Sequence, residues 1–204
     1  MIEQILPFLT ASVLLTLSPG PDIIYVLVRS MVYGKTQGII TALGLVSGIL
    51  VHTSLVAFGV SAIISQSPNL FLFIKILGAL YLVFLAYQVY KSDPEIAFSK
   101  EGIQNKSLGS LFKQGFIMNV LNPKVSIFFL AFFPGFLWNP DENTISQFFI
   151  LGFLFMLQAL LIFSTVAFLA DKISGFIKSH PKSGLVLKYF QIAIFIGIAV
   201  FIMI

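Results

Sequence analysis

The sequence predicts an all-α integral membrane protein of six transmembrane helices, arranged as two inverted three-helix repeats whose helices 1 and 4 are broken by proline. Of the 204 residues, 58% are hydrophobic and only 10% are charged, whereas about 25% of a typical soluble domain is charged. Twelve Lys and Arg with eight Asp and Glu are too few to cover a soluble fold of this size. The apolar residues also stand in blocks close to the ~20 residues that cross a ~30 Å hydrocarbon core.

Six blocks are long enough to cross the membrane as helices. The predicted spans are Ile5–Val28, Ile39–Ile64, Leu70–Tyr90, Gly115–Leu137, Ile145–Ala170 and Leu185–Ile204. A transmembrane β-barrel is excluded, because barrel strands have only ~10 residues and alternate in polarity. The first block follows no cationic leader and precedes no small-residue cleavage site, so we expect a retained helix and not a cleaved signal.

The cations between the spans lie on alternate loops. Those that follow spans one, three and five are Arg29, Lys35, Lys91, Lys100, Lys106, Lys113, Lys172, Lys178, Lys182 and Lys188. The other two loops and both ends of the chain carry none. Because Lys and Arg accumulate in cytoplasmic loops, we predict that both termini face outside. This orientation accounts for the net charge of +4 without a nucleic-acid partner.

One long polar stretch, 92–112, divides the chain into halves at roughly 1–91 and 113–204. We expect a single transporter domain with this stretch as a cytoplasmic loop. Three spans in each half force the halves into opposite orientations, which is the inverted-repeat layout of many secondary transporters.

Two spans contain residues that interrupt a helix. The candidate substrate- or ion-binding residues at these breaks are Pro19, Gly20, Pro21, Asp22, Asn119, Asn122, Pro123 and Lys124. Proline removes a backbone donor and clashes with the preceding turn, and glycine weakens the helix further. One break alone is as well explained by a plain proline kink. Two breaks in corresponding helices point to a transporter's binding site.

The breaks are predicted to lie at the same depth. Pro21 is eight residues from Arg29 and Pro123 is ten from Lys113, so both lie roughly 12–15 Å from the inner face at 1.5 Å per residue. Asp22 and Lys124 would each cost roughly 3 kcal/mol if they faced lipid there. They therefore face inward, where they either interact with each other or cap the broken helix ends.

A second polar signal lies in span two. Gly44, Gly48 and His52 recur at intervals of four residues, which places them on one helix face. The two glycines indicate tight helix packing. His52 is either a carrier of a coupling proton, since an unperturbed imidazole titrates near pH 6.5, or a hydrogen-bonded structural residue.

One cation and a group of aromatic residues are predicted to lie near the outer interface of the membrane. Lys75 lies five residues inside the outer edge of span three, where its side chain can extend to the interface. Phe132, Phe133, Phe136 and Trp138 are interpreted as outer-interface aromatics.

Several segments together resemble one known family. They are Leu17-Ser-Pro-Gly-Pro-Asp22, the run Gly38 to Gly59, Lys75-Ile-Leu-Gly-Ala-Leu-Tyr-Leu82, and Asn119-Val-Leu-Asn-Pro-Lys124 followed by Phe132-Phe-Pro134. In this order they resemble the LysE/RhtB family of amino-acid exporters. The resemblance implies a bacterial inner-membrane exporter driven by a proton or ion gradient, with an amino acid and the lipid bilayer as its partners. The span of His52 is more similar to homoserine/threonine-type members, which favours a neutral substrate such as threonine, homoserine or leucine. The sequence does not determine the oligomeric state, and a homo-oligomer is one alternative.

Other function classes find less support. No Walker A motif is present and cysteine is absent, so we expect no ATP use, no thiolate metal site and no cofactor. A divalent-metal or other small-solute exporter is the alternative, although Asp22 and His52 are too few for a convincing metal site. A membrane enzyme is less favoured, because we find no paired intramembrane aspartates and no Ser/His arrangement.

Overall fold

The computed structural model describes residues 2–60, 67–93, 104–140, 142–180 and 182–203, and no residue of these ranges is in a strand. The helices are α1 Ile2–Leu17, α2 Pro21–Tyr33, α3 Lys35–Leu55, α4 Pro68–Lys91, α5 Leu108–Val120, α6 Pro123–Ile127, α7 Thr144–Phe168, α8 Ala170–Ser179 and α9 Ser183–Met203. A π-helical turn, Val56–Val60, extends α3. The π-helical turn Phe128–Phe132 and the 3-10 turn Phe133–Phe136 extend α6. The all-α prediction is confirmed.

Four helices are long and apolar enough to cross a membrane by themselves. They are Lys35–Gly59, Asn69–Lys91, Thr144–Phe168 and Ser183–Met203. Two further pairs reach that length only together: α1 with α2, bent by 57°, and α5 with the segment Pro123–Phe136, bent by 48°. With each bent pair counted as one span, the described residues give six, and the broken helices 1 and 4 are where the sequence predicted them.

Several predicted boundaries were wrong. The first predicted loop barely exists, because α2 continues to Tyr33 and only Gly34, with φ of 84°, separates it from α3. The predicted loop 92–112 ends early, since the Ser107 side chain caps a helix that starts at Leu108. Ile64, Lys100 and Ile204, which belonged to predicted spans or loops, lie outside the described residues.

The predicted loop between spans five and six contains a helix, α8. Its Ile173 and Ile177 line an apolar groove beside α2, whereas its Lys172 is exposed. A short helix with one apolar and one charged face is typical of a segment that lies in the membrane interface.

The helices pack in a pattern that is consistent with the predicted repeat. α3 packs most extensively on α5, α4 on α9, α3 also on α7, and α7 on α1 and α2. In an inverted repeat, span one corresponds to span four, span two to span five, and span three to span six. The contact between spans two and four therefore corresponds to the contact between spans five and one. Exchange of the two halves would leave the pairs two–five and three–six unchanged. The inverted repeat itself stays a prediction, and this packing is what it requires.

A cluster of phenylalanines forms the centre of the half of the bundle that contains Phe8, Phe133 and Phe201. Phe133 stacks on Phe148 of α7 with ring centroids 5.6 Å apart and meets Phe8 of α1 at 5.3 Å. Phe136 stacks on Phe201 of α9 at 5.4 Å. The assignment of these span-four aromatics to the outer interface was therefore wrong, since three other spans enclose them. Offset and edge-to-face pairs of this kind add packing energy beyond the buried area.

Glycines bring α3 and α5 into backbone contact. A Cβ atom at Gly44 would overlap the carbonyl of Phe112, and one at Gly115 would overlap the carbonyl of Thr41. Backbone atoms cannot rotate away as a side chain can, so only glycine fits at these two positions. The interpretation of Gly44 as a packing residue is confirmed.

Replacement of Gly44 by valine is expected to separate α3 from α5 and to lower the stability by about 3 kcal/mol or more. The matched control is Gly197→Val in α9, where nothing lies within 4 Å of the added Cβ. Thermal unfolding in detergent should show a large loss of melting temperature for Gly44→Val and little change for Gly197→Val. Equal losses would contradict the backbone contact.

Candidate functional site

The first break leaves backbone carbonyls without helical donors. α1 ends at Leu17 and α2 begins at Pro21, so the carbonyls next to the bend cannot be paired within the helix. In lipid such groups need a partner from the protein. The Lys124 ammonium provides one, because its Nζ donates to the Ser18 carbonyl at 3.0 Å.

The second break is stabilised by the side chain of Asn122. Its Oδ1 accepts from the backbone N–H of Lys124 at 3.0 Å, which caps the start of α6. Its Nδ2 donates to Oδ1 of Asp22 at 3.0 Å. One amide therefore caps its own helix and binds the carboxylate in the first turn of α2.

The two breaks are thus linked reciprocally. Lys124 of the second break caps the carboxyl end of α1, and Asn122 of the second break binds Asp22 at the amino end of α2. Both charges stand where the helix dipoles favour them. The inward-facing prediction is confirmed, because Asp22 and Lys124 are each only 6% exposed.

Asp22 and Lys124 lie on either side of Gly20. A Cβ atom at Gly20 would stand 3.2 Å from Oδ1 of Asp22 and 3.3 Å from Nζ of Lys124. Among the described residues, the Asp22 carboxylate bonds to Asn122 and the Lys124 ammonium bonds to Ser18, and neither of these bonds joins Asp22 to Lys124. The lack of a side chain at Gly20 therefore leaves room next to both a carboxylate and an ammonium.

Asp22 and Lys124 both line a small buried cavity of about 10 Å³, which holds about one water. Its polar side consists of Thr16, Asp22, Asn119 and Lys124. Its apolar side consists of Leu15, Ile49, Val125, Phe155, Ala159 and Phe163. The conformation is therefore closed around the site, and a larger molecule enters only if the helices move.

Buried acceptors near the breaks lack a donor. Among the described residues these include Oδ1 of Asn119 and Oγ of Ser18. Buried polar groups in native proteins are nearly always paired. Unpaired acceptors beside a cavity are therefore typical of a site that binds a ligand or water.

His52 contacts the second break from α3. Its Nε2 lies 3.1 Å from the carbonyl of Asn119. Proline at 123 has no N–H to give that carbonyl the usual helical bond; the carbonyl accepts instead from the backbone N–H of Asn122 at 2.9 Å and from the imidazole, whose Nε2 must carry the hydrogen. This contact favours the structural role over that of a proton carrier.

The predicted site residues therefore fall into three groups. Gly20, Asp22, Asn119, Asn122 and Lys124 surround or bind the space at the breaks. His52 of α3 binds the backbone carbonyl of Asn119. The three prolines create the breaks, and Pro19 lines an apolar groove that the cavity does not share.

Sequence reasoning missed the residues that α1 and α7 contribute. Thr16 lines the cavity and accepts from Nε2 of Gln158 at 3.0 Å. Thr16 is a polar residue one turn before the break, which is a signal that could have been used. Phe155, Ala159 and Phe163 carry no such signal, because an apolar residue in an apolar span looks the same whether it faces lipid or a site.

The end of the bundle opposite the phenylalanine cluster is closed by a polar network around Arg29. This residue is 2% exposed, so its assignment as a loop cation was wrong. Its Nε donates to the Tyr25 hydroxyl at 3.0 Å, which in turn donates to Oε1 of Gln114 at 2.8 Å. Its Nη1 donates to the carbonyl of Gln104 at 2.8 Å and to Oε1 of Gln37 at 3.4 Å.

The end of the long polar stretch is held in the same network. Asn105 accepts from Gln37 at 2.7 Å, and Lys106 donates to Gln114 at 2.8 Å. Residues 104–106 therefore lie across α2, α3 and α5 and join them at the end away from the phenylalanine cluster.

The chain is similar to known proteins over most of its length. Residues 13–204 match the family model described as LysE type translocator. The chain belongs to this family. It is 33% identical over 175 residues to the homoserine/homoserine lactone efflux protein of Salmonella typhimurium, covering 86% of this chain and 84% of that protein. It is 28% identical over 198 residues to the uncharacterized membrane protein YrhP of Bacillus subtilis, covering 93% and 92%. No solved structure matches the chain.

Membership in a translocator family confirms the predicted LysE/RhtB resemblance and the general assignment to membrane transport. The matched region includes both breaks, α3 and the phenylalanine cluster apart from Phe8. The geometry above therefore describes the centre of a translocator.

A double-mutant cycle tests the electrostatic link of Asp22 and Lys124. Asp22→Asn and Lys124→Gln should each lower the melting temperature in detergent, because each leaves the other charge uncompensated in a buried place. The double variant should be more stable than the sum of the single losses predicts, with a coupling of about 1 kcal/mol or more.

The control cycle combines Asp22→Asn with Lys91→Gln, a cation at the end of α4 that lies over the Tyr87 ring. Its losses should add. If the losses of Asp22→Asn and Lys124→Gln also add, the two residues act only as separate helix caps.

Proposed function

We propose that the protein exports a neutral amino acid, such as threonine, homoserine or leucine, from a site at the two helix breaks. The observation that carries this proposal is the placement of a carboxylate and an ammonium, those of Asp22 and Lys124, in the lining of one buried cavity next to Gly20. A zwitterion is the small solute that complements such a pair.

The charged groups keep bonding capacity for a substrate. Lys124 has three N–H donors and uses one on Ser18, so its remaining donors suit a carboxylate. Asp22 accepts from Asn122 through one oxygen only, and Asn119 adds an unpaired Oδ1. These acceptors suit the substrate ammonium.

The apolar side of the cavity supports a neutral substrate. Ile49, Phe155 and Phe163 offer no partner for a charged side chain, and burial of an unpaired charge among them is costly. The relative from Salmonella typhimurium is a homoserine/homoserine lactone efflux protein, which agrees with a small substrate that bears an amino group.

A proton or ion gradient is proposed as the driving force. Asp22 is the carboxylate in contact with the site, whereas His52 is already bound to a backbone carbonyl. We therefore assign proton coupling, if protons are the coupling ion, to Asp22. The Asp22→Asn variant should then bind labelled substrate more weakly, and at saturating substrate it should no longer accumulate it in response to a pH gradient.

Replacement of Gly20 by leucine should abolish export. Gly20 has φ of −168°, an extended conformation that any residue adopts, so the change strains no backbone. The added side chain would fill the space between Asp22 and Lys124. Export is measured as uptake of radiolabelled threonine, homoserine and leucine into inverted membrane vesicles, with Gly197→Leu as the control in open space.

A Gly20→Leu protein that inserts normally and transports at the wild-type rate would place the substrate site elsewhere. The same vesicles also test the alternative of a divalent-metal exporter. Among the described residues no group of three His, Cys, Asp or Glu converges as a metal site would require. Uptake of divalent metal without uptake of amino acid would overturn the proposed substrate class.

We further propose that this single domain lies in the bacterial inner membrane with both termini outside. The alternating cations support this orientation, because Lys35, Lys91, Lys106 and Lys188 follow spans one, three and five. A reporter that is active only in the cytoplasm should stay silent when fused to the carboxyl terminus, and it should be active when inserted at 92–112. A strong signal from the terminal fusion would overturn the orientation.

A further inference from the structure

A second cation faces a cavity at the outer side of the bundle. Lys75 of α4 lines a cavity of about 280 Å³ between spans three, four and six. The other residues that line it are Phe71, Ala131, Phe132, Gly135, Phe201 and Ile202. The cavity therefore has apolar walls and a single charged side chain.

Close packing fixes the position of Lys75 relative to span four. One turn further along α4, a Cβ atom at Gly78 would overlap the side chain of Ala131. This contact holds α4 against the π-helical turn Phe128–Phe132. Gly135 lies opposite with nothing within 4 Å of its Cβ position, which keeps the cavity open beside the lysine.

The ammonium of Lys75 has no hydrogen-bond, ion-pair or aromatic partner among the described residues. By contrast, Lys188 donates to the Ser92 carbonyl at 2.7 Å and lies over Tyr90, and Lys106 donates to Gln114. Lys75 is half-buried, and an unpaired cation in such a place is costly. Its surroundings therefore favour binding of an anion.

The outer cavity and the central site lie along the same element. Lys124 begins α6, and Ala131 lies seven residues further along, which is roughly 10 Å at 1.5 Å per residue. Phe128 and Phe129 occupy the stretch between them and both pack on Phe155 of the central cavity, at 5.6 and 5.3 Å. This stretch includes a π-helical turn, an irregularity frequent at functional sites.

We propose that the Lys75 cavity is a release site, which receives the carboxylate of the exported amino acid after it leaves Lys124. This inference rests on the proposed export function and adds a second, outer station to it. The phenylalanines of the π-helical turn separate the two stations in the closed conformation. The apolar walls of Phe132 and Phe201 contact the neutral side chain of the solute while the ammonium of Lys75 binds its carboxylate.

The test measures exchange of radiolabelled leucine by the purified protein in phosphatidylcholine vesicles, with the half-saturation concentration determined separately on each face. The outer face is identified by an accessible tag at the carboxyl terminus, because Ile202 lines the cavity. Lys75→Gln should raise the half-saturation concentration about tenfold on that face, as expected for the loss of a charged hydrogen bond, and leave the other face unchanged. Lys75→Arg should retain the wild-type value within about threefold.

Two controls isolate the carboxylate. Lys91→Gln, at the far end of the same helix, should change neither face. Leucinamide, which lacks the carboxylate, should inhibit exchange at the outer face equally in the wild-type and Lys75→Gln proteins.

Each other result has a distinct meaning. If the wild-type protein exchanges no amino acid, the proposed function fails. If it exchanges leucine but Lys75→Gln affects both faces equally or neither, only the release site is overturned. An effect that appears solely when anionic phosphatidylglycerol is added would assign Lys75 to a lipid phosphate and would also overturn it.

Discussion

The structure depends on the reciprocal link between its two broken helices. Each break exposes backbone groups that lipid cannot satisfy, and each is completed by the other: Lys124 binds the Ser18 carbonyl, and Asn122 binds Asp22. The Ser18 carbonyl of the first half binds Lys124 of the second half, and the Asn119 carbonyl of the second half binds His52 of the first half. The two halves must therefore assemble together, and the place where they meet is also where a carboxylate and an ammonium are held inside the membrane.

The same residues serve stability and recognition, which affects how substitutions are interpreted. Asn122 caps α6 and binds Asp22 at once, so its loss removes a helix cap as well as a contact of the site. Loss of transport alone does not separate these roles. Gly20 is more informative, because its only hydrogen bond among the described residues is the one that its backbone carbonyl accepts from the N–H of Ile24, and a change of side chain there leaves that bond in place.

The sequence predicted those parts of the fold that backbone chemistry determines locally. Prolines and glycine located both breaks, and their distance from flanking cations placed them at one depth, where the structure brings them together. The apolar wall of Phe155, Ala159 and Phe163 could not be predicted, because hydrophobicity does not distinguish a residue that faces lipid from one that faces a cavity. Arg29 was wrongly assigned to an exposed loop for a related reason. A cation at the end of a span is expected to be exposed, but the five donors of an arginine can also be satisfied by buried partners.

The backbone contact between α3 and α5 divides the bundle into a part that stays fixed and parts that are free to move. Gly44 and Gly115 press the two helices together so closely that neither can slide or rotate without collision. Opening of the closed cavity must therefore come from segments beyond this contact. The run from Pro123 to Phe136 is such a segment, whereas α2 is itself packed closely on α3, since a Cβ atom at Gly38 would overlap the side chain of Ser30.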